Sequence, residues 1–209
     1  MTWSVVATLV LLVLLLVGEA REHAVLQRLA KLGASAGFLV TAWQAGALEH
    51  DFGRIMFAAL VLCAIGDACL LSRAKQWFLA GLVAFALGHL GYAAAFVGIG
   101  IAWGSAAVLG AILLVPAWIV WRWLDPHISA DMRVPVLAYV AIITTMMTCA
   151  WTCDAGAATW SLRIGATAFY LSDLSVARDV FVRRAFVNRL WGLPAYYVAQ
   201  LVLASASGV

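Results

Sequence analysis

The sequence predicts an all-α, polytopic membrane bundle of about eight transmembrane helices. Three observations predict it. The chain is 66% hydrophobic and 11% charged, where a soluble domain is about 45–50% apolar and about 25% charged. Its apolar runs approach the ~20 residues that cross ~30 Å of hydrocarbon. Its basic residues cluster in every second break between those runs. So little polar sequence remains that the 209 residues read as one integral-membrane domain.

The runs lie near 2–18, 31–48, 53–71, 77–98, 103–123, 133–152, 159–180 and 189–207. The first, "MTWSVVATLVLLVLLLVGEAREH", has no basic n-region and no good small-x-small cleavage site, so it reads as a retained helix rather than a signal peptide. The second opens on "KLGASAG", where Gly33 and Gly37 let a neighbouring helix approach. The third carries Asp67 in "LCAIGDACLL". In the fourth, "FALGHLGYAAAF" spaces Phe85, His89, Tyr92 and Phe96 by 4, 3 and 4, one helix face. The fifth begins at "GIGIAWGS", the weakest break; without a boundary there the count would be seven. The sixth places Tyr139 one turn past Pro135. The seventh contains "FYLSDLSVARDVFV", with Ser172 and Asp173. The eighth carries Tyr197 and Gln200 in "AYYVAQ".

Eleven of the 13 Lys/Arg lie in the first, third, fifth and seventh connections; the other two are Arg54 and Arg163. The positive-inside bias puts those four connections in the cytoplasm and both termini outside. It also favours eight spans, because losing one would scramble the alternation. Trp77, Trp123 and Trp191 then sit at the cytoplasmic interface, with Trp151 and Trp160 opposite.

A carboxylate inside a membrane helix costs ~2.5–3.5 kcal/mol on insertion scales and marks a functional site by default. Asp67 precedes Arg73 by six residues and Asp173 precedes Arg178 by five, so both sit ~8–9 Å inward from basic residues. Two acids from different helices at one depth are able to face one another. His89, Tyr92, Tyr139, Tyr197 and Gln200 fall at similar or greater depth. Together they outline a polar cavity opening to the cytoplasmic leaflet, with Lys31 at its mouth.

Other functions find less support. There is no basic run interleaved with aromatics, so nucleic acid is excluded as a partner. Cys63, Cys69, Cys149 and Cys153 lack the spacing and accompanying histidines of a zinc site and read as packing residues. A small proton- or cation-coupled lipid or solute transporter is the alternative, but no inverted repeat with paired broken helices is visible.

The chain resembles the YhhN-like membrane proteins, whose characterised members are lysoplasmalogenases. The resemblance rests on ordered motifs: Lys31, followed by Leu32 where the family usually has proline; "IGDACLL"; "GHLGYAAAF"; "AYVAIITTMM"; "YLSDLSVA"; and "YYVAQLVLA". It implies hydrolysis of the vinyl ether bond of a lysoplasmalogen to a fatty aldehyde and a glycerophospho-ethanolamine or -choline. It implies Asp67 and Asp173 as the catalytic residues; the chemistry itself calls for no metal or organic cofactor. On this reading His89, Tyr92, Tyr139, Ser172, Tyr197 and Gln200 position the reacting groups. Lys31, with Arg73 or Arg178 at the rim, holds the headgroup phosphate of a membrane lipid. Two neighbouring carboxyls suit the chemistry, since one retains the proton a vinyl ether needs while the other faces the developing cation.

Overall fold

The computed structural model describes residues 2–72 and 74–208; Met1, Arg73 and Val209 lie outside the described residues. Eight α-helices follow in order: α1 (Trp3–Ala20), α2 (Ala24–Gln44), α3 (Asp51–Cys69), α4 (Lys75–Gly98), α5 (Trp103–Leu124), α6 (Arg133–Thr152), α7 (Thr159–Ala177) and α8 (Phe186–Ser205). A single π-helical turn, Arg178–Val182, extends α7.

The chain is an integral membrane protein. Five helical segments are long and apolar enough to cross a bilayer: α1, α3, α4, α6, and α5 with its short extension to His127. The other three, α2, α7 and α8, have 21, 19 and 20 residues, so length does not separate them. They carry Arg28, Lys31, Asp173, Asn188 and Gln200, which lower their hydropathy. Such side chains need protein partners rather than lipid, and most of them find those partners inside the bundle.

Seven helices close into a ring. Going round, α1 packs on α2, α2 on α3, α3 on α4, α4 on α6, α6 on α7, α7 on α8, and α8 back on α1. Contacts of α8 with α2 and α3 cross the ring. Helix α5 stands outside, packed along α6 and not along α4. Only Ala117 and Leu124 of α5 are buried. At the end away from the basic connections, Ala102 N–H donates to the Thr152 carbonyl at 3.1 Å. An isolated bridge between Ile101 and Cys153 joins the same two connections. At the basic end Lys75 pairs with Asp131, tying the first turn of α4 to the α5–α6 connection. The lysine holds the Asp131 carboxyl below its usual range. Both partners are exposed, so this pair adds little to stability.

Small residues let the helices close on one another. A Cβ on Gly33 would meet the Leu11 side chain of α1 at 3.1 Å, and one on Gly37 would collide with Thr8. The Gly-x-x-x-Gly face is therefore where α1 lies. Between α7 and α8, a Cβ on Gly192 would collide with the Ser175 hydroxyl, which bonds the Asn188 carbonyl. Gly192→Val should lower stability by about 1–3 kcal/mol, the usual cost of overpacking. Thermal unfolding in detergent reads this directly, and an unchanged midpoint would contradict the packing described.

Candidate active site

At its basic end the ring opens into a cavity of about 1190 Å³, which α5 also lines through Val120 and Leu124. Asp67, Asp173, Lys31, Tyr139, Ser172 and Tyr196 all line it. The two intramembrane acids, 106 residues apart in sequence, thus share one space.

Asp67 lies in the last turn of α3 and is 2% exposed. Both of its oxygens are engaged. Oδ1 is 3.2 Å from the Lys31 ammonium. Oδ2 accepts from the Ser35 hydroxyl at 2.7 Å and from the Tyr196 hydroxyl at 2.7 Å. Lys31 and Ser35 are one turn apart on α2, so one helix face supplies both partners. The Ser35 hydroxyl also contacts the Lys31 carbonyl at 3.0 Å. Tyr196 is oriented in turn: its hydroxyl accepts from Gln200 Nε2 at 3.0 Å, and Gln200 Oε1 accepts from the Tyr92 hydroxyl at 2.8 Å. The chain Tyr92–Gln200–Tyr196–Asp67 runs through the core, each donor aimed toward the carboxylate. A charge taken out of water costs far less when paired and fully hydrogen-bonded.

Asp173, near the end of α7, is held differently. Oδ2 accepts from the Tyr139 hydroxyl at 2.6 Å and lies 3.8 Å from His89 Nε2. Oδ1 has no hydrogen-bond partner among the described residues, and the side chain keeps 17% exposure. His89 is fully buried, with its ring 4.5 Å from that of Phe169 and 5.4 Å from that of Tyr139. Neither of its ring nitrogens has a hydrogen-bond partner among the described residues. A buried imidazole without a bond is costly, and the nearest carboxylate is Asp173.

The sequence candidates divide accordingly. Asp67, Asp173, Lys31, Tyr139 and Ser172 reach the cavity, although the Ser172 hydroxyl bonds its own helix at the Phe169 carbonyl, 2.8 Å away. Tyr92 and Gln200 stand behind Tyr196, and His89 behind Asp173. The Tyr197 hydroxyl meets the Lys31 carbonyl at 3.2 Å rather than a carboxylate. The guanidinium of Arg178 bonds Asn188 Oδ1 at 3.1 Å and does not line the cavity. Arg73 falls outside the described residues. Arg28, Arg183, Arg184 and Arg189 form the basic rim instead, with Arg189 bound to Asp179 at 2.8 Å. Sequence reasoning missed Tyr196 and Ser35. Their signals were present, because Ser35 is four residues from Lys31 and Tyr196 four residues from Gln200.

Tyr196→Phe removes a bond to a charged group, a change of about 1.5–3 kcal/mol. Turnover should fall about 10- to 100-fold, while Tyr197→Phe stays within about threefold of the parent. The reverse order in a steady-state assay would contradict the geometry.

A closed ring of helices around a carboxylate-lined intramembrane cavity defines a polytopic membrane protein with an enzyme-like site. The chain belongs to the YhhN family, whose pattern matches residues 26–207. It is 30% identical over 185 residues to lysoplasmalogenase TMEM86A of Bos taurus, covering 83% of this chain and 70% of the bovine protein. It is 35% identical over 170 residues to lysoplasmalogenase TMEM86B of Homo sapiens, covering 80% and 68%. With human lysoplasmalogenase TMEM86A the identity is 31% over 166 residues, covering 75% and 66%. No solved structure matches the chain.

Proposed function

We propose that this protein is a lysoplasmalogenase-like hydrolase that cleaves the vinyl ether bond of a lysoplasmalogen, with Asp67 and Asp173 as its catalytic residues. The observation that carries this reading is the layout of the cavity. On the side of α1, α2 and α8 the walls are polar, with Gln27, Arg28, Lys31, Arg183 and Arg184. On the side of α4, α5 and α6 they are apolar, with Leu82, Val120, Val136 and Ile143. Asp67, bonded to α2 and α8, borders the polar side; Asp173, bonded to α6, borders the apolar side. A lysoplasmalogen has the same sequence of parts: a phosphate headgroup, a vinyl ether and a hydrocarbon chain.

The roles of the two acids follow from their surroundings. Cleavage begins with a proton added to the β-carbon, which lies on the chain side of the ether oxygen. Asp173 is on that side, lines the cavity and leaves its Oδ1 without a partner among the described residues, so Asp173 is the acid. Protonation leaves an oxocarbenium ion. Asp67, ion-paired and fully hydrogen-bonded, is a preorganised anion that stabilises the ion electrostatically. Water adds to the α-carbon and gives its proton to the Asp173 carboxylate, restoring the acid. The hemiacetal collapses to aldehyde and glycerol hydroxyl. One carboxyl acts as acid and then base, as in retaining glycosidases. The rim arginines and Lys31 hold the phosphate.

In this reading the chain is one integral-membrane domain crossing the bilayer eight times, with the cavity in the cytoplasmic half and both termini outside. The test is product release from a lysoplasmalogen by purified protein in detergent, run in heavy water with the aldehyde trapped as it forms. The expected product is an aldehyde with one deuterium beside its carbonyl. An aldehyde lacking that deuterium overturns the mechanism, and no aldehyde overturns the function.

A further inference from the structure

The apolar side of the cavity has a defined shape. A separate hydrophobic cluster closes it at the basic end of the bundle. Leu124, Ile128, Met132 and Val136 are each 6% exposed or less. Packed against them are Phe78 and Leu82 of α4, Val120 of α5, and Phe181 of the π-turn. Phe78 and Phe181 meet edge to face, with ring centroids 5.7 Å apart, and so link α4 to the turn that ends α7. A hydrocarbon chain lying on this side therefore meets an apolar floor.

The side wall is different. Helix α5 packs along α6 but not along α4. Its remaining surface is apolar and exposed, with Val108, Ile112, Val115 and Ile119 all above half exposure. Leu82 of α4 and Val120 of α5 both line the cavity and both pack against the Leu124 cluster, so at the basic end the cavity reaches past the α4–α6 contact to α5.

We infer that the slot between α4 and α5 is a lateral portal and chain-binding site. Through it one unbranched hydrocarbon chain from the surrounding lipid lies against Leu82 and Val120 and ends with its reactive bond at Asp173. The inference rests on the proposed function and adds to it the route and the residues that read the chain. The chemistry at the portal is apolar throughout, so it recognises length and straightness, not headgroup. Its energy comes from apolar area leaving the bilayer for a packed slot; because both environments are apolar, fit matters more than burial.

The test fills the slot. Leu82→Trp and Val120→Trp are compared with the parent on two substrates of one headgroup: a long-chain lysoplasmalogen in detergent micelles and a water-soluble analogue with a four-carbon alkenyl chain. Val10→Trp, exposed on α1 and outside the cavity lining, is the control. For the long chain, kcat/KM should fall about tenfold or more in both slot variants, since a hydrophobic pocket discriminates by about 10–200-fold. For the short chain it should stay within about twofold of the parent, and the control should match the parent on both. Equal losses on both chains, or no loss on the long chain, would overturn the portal. If a tryptophan variant does not fold, Leu82→Ala and Val120→Ala decide the matter. They should raise kcat/KM for a methyl-branched chain relative to the straight one, and an unchanged ratio overturns the inference. A parent enzyme inactive on both substrates would instead sink the proposed function.

Discussion

Asp173→Asn is expected to lower vinyl ether cleavage by about 10²- to 10⁴-fold, the usual contribution of a positioned general acid, with little change in folding. Asparagine keeps the shape and its amide oxygen still accepts from Tyr139, which lies 2.6 Å from the native carboxylate. What is lost is the transferable proton and the anion that later receives a proton from water. The loss should appear in kcat, because in the proposed mechanism Asp173 acts on the bond that changes rather than on the headgroup or the chain. Aldehyde release at saturating substrate measures this, and thermal unfolding in detergent confirms an intact fold. Turnover by the variant near that of the parent would end the assignment of Asp173 as the acid.

Lys31→Met should have the largest effect on stability. Lys31 and Asp67 have side chains only 10% and 3% exposed. Removing one partner of a buried ion pair leaves the other charge uncompensated, at a cost of about 3–5 kcal/mol. Asp67→Asn should destabilise by a comparable amount, because it strands the ammonium. The double variant Lys31→Met with Asp67→Asn should be less destabilised than the sum of the two, since it buries no lone charge. Additive losses in a double-mutant cycle would show that the two charges do not depend on each other. Activity separates from stability here. The double variant should regain stability but remain inactive, because in the proposed mechanism the anion facing the oxocarbenium ion is gone.

Much of this protein is legible in its sequence, for reasons peculiar to membranes. Hydrocarbon forces the backbone into helices, so runs of apolar residues announce them. Charge within such runs is costly and stands out, and by that reasoning alone Asp67 and Asp173 were candidates. Their common depth follows from spacing along each helix. The family motifs added Ser172 and the ordering of the tyrosines. Which way each helix turns is less legible. In a soluble helix the polar face marks the outside, but here lipid and core are equally apolar, so a side chain's direction leaves little trace. That is why Tyr197 drew attention while its neighbour Tyr196, about 100° round the helix by α-helical geometry, bonds Asp67. Arg178 met a similar fate. Its spacing from Asp173 places it at the rim, yet Asn188 of α8 takes its guanidinium, and Arg183 and Arg184 line the cavity instead.

By itself, the sequence determined that this chain lives in a membrane as helices and carries acids at matched depth among tyrosines, a histidine and a lysine. Periodicity, hydropathy and the cost of buried charge act along one chain and need no partner. Only the tertiary structure decided that α5 stands outside a ring of seven, that Asp67 is saturated by Lys31, Ser35 and Tyr196, and that Asp173 lines the cavity with one oxygen unbonded among the described residues. Those facts depend on the rotation and close approach of helices distant in sequence, set by packing at residues such as Gly37 and Gly192. A linear pattern holds no measure of that rotation when every face of the helix is oily.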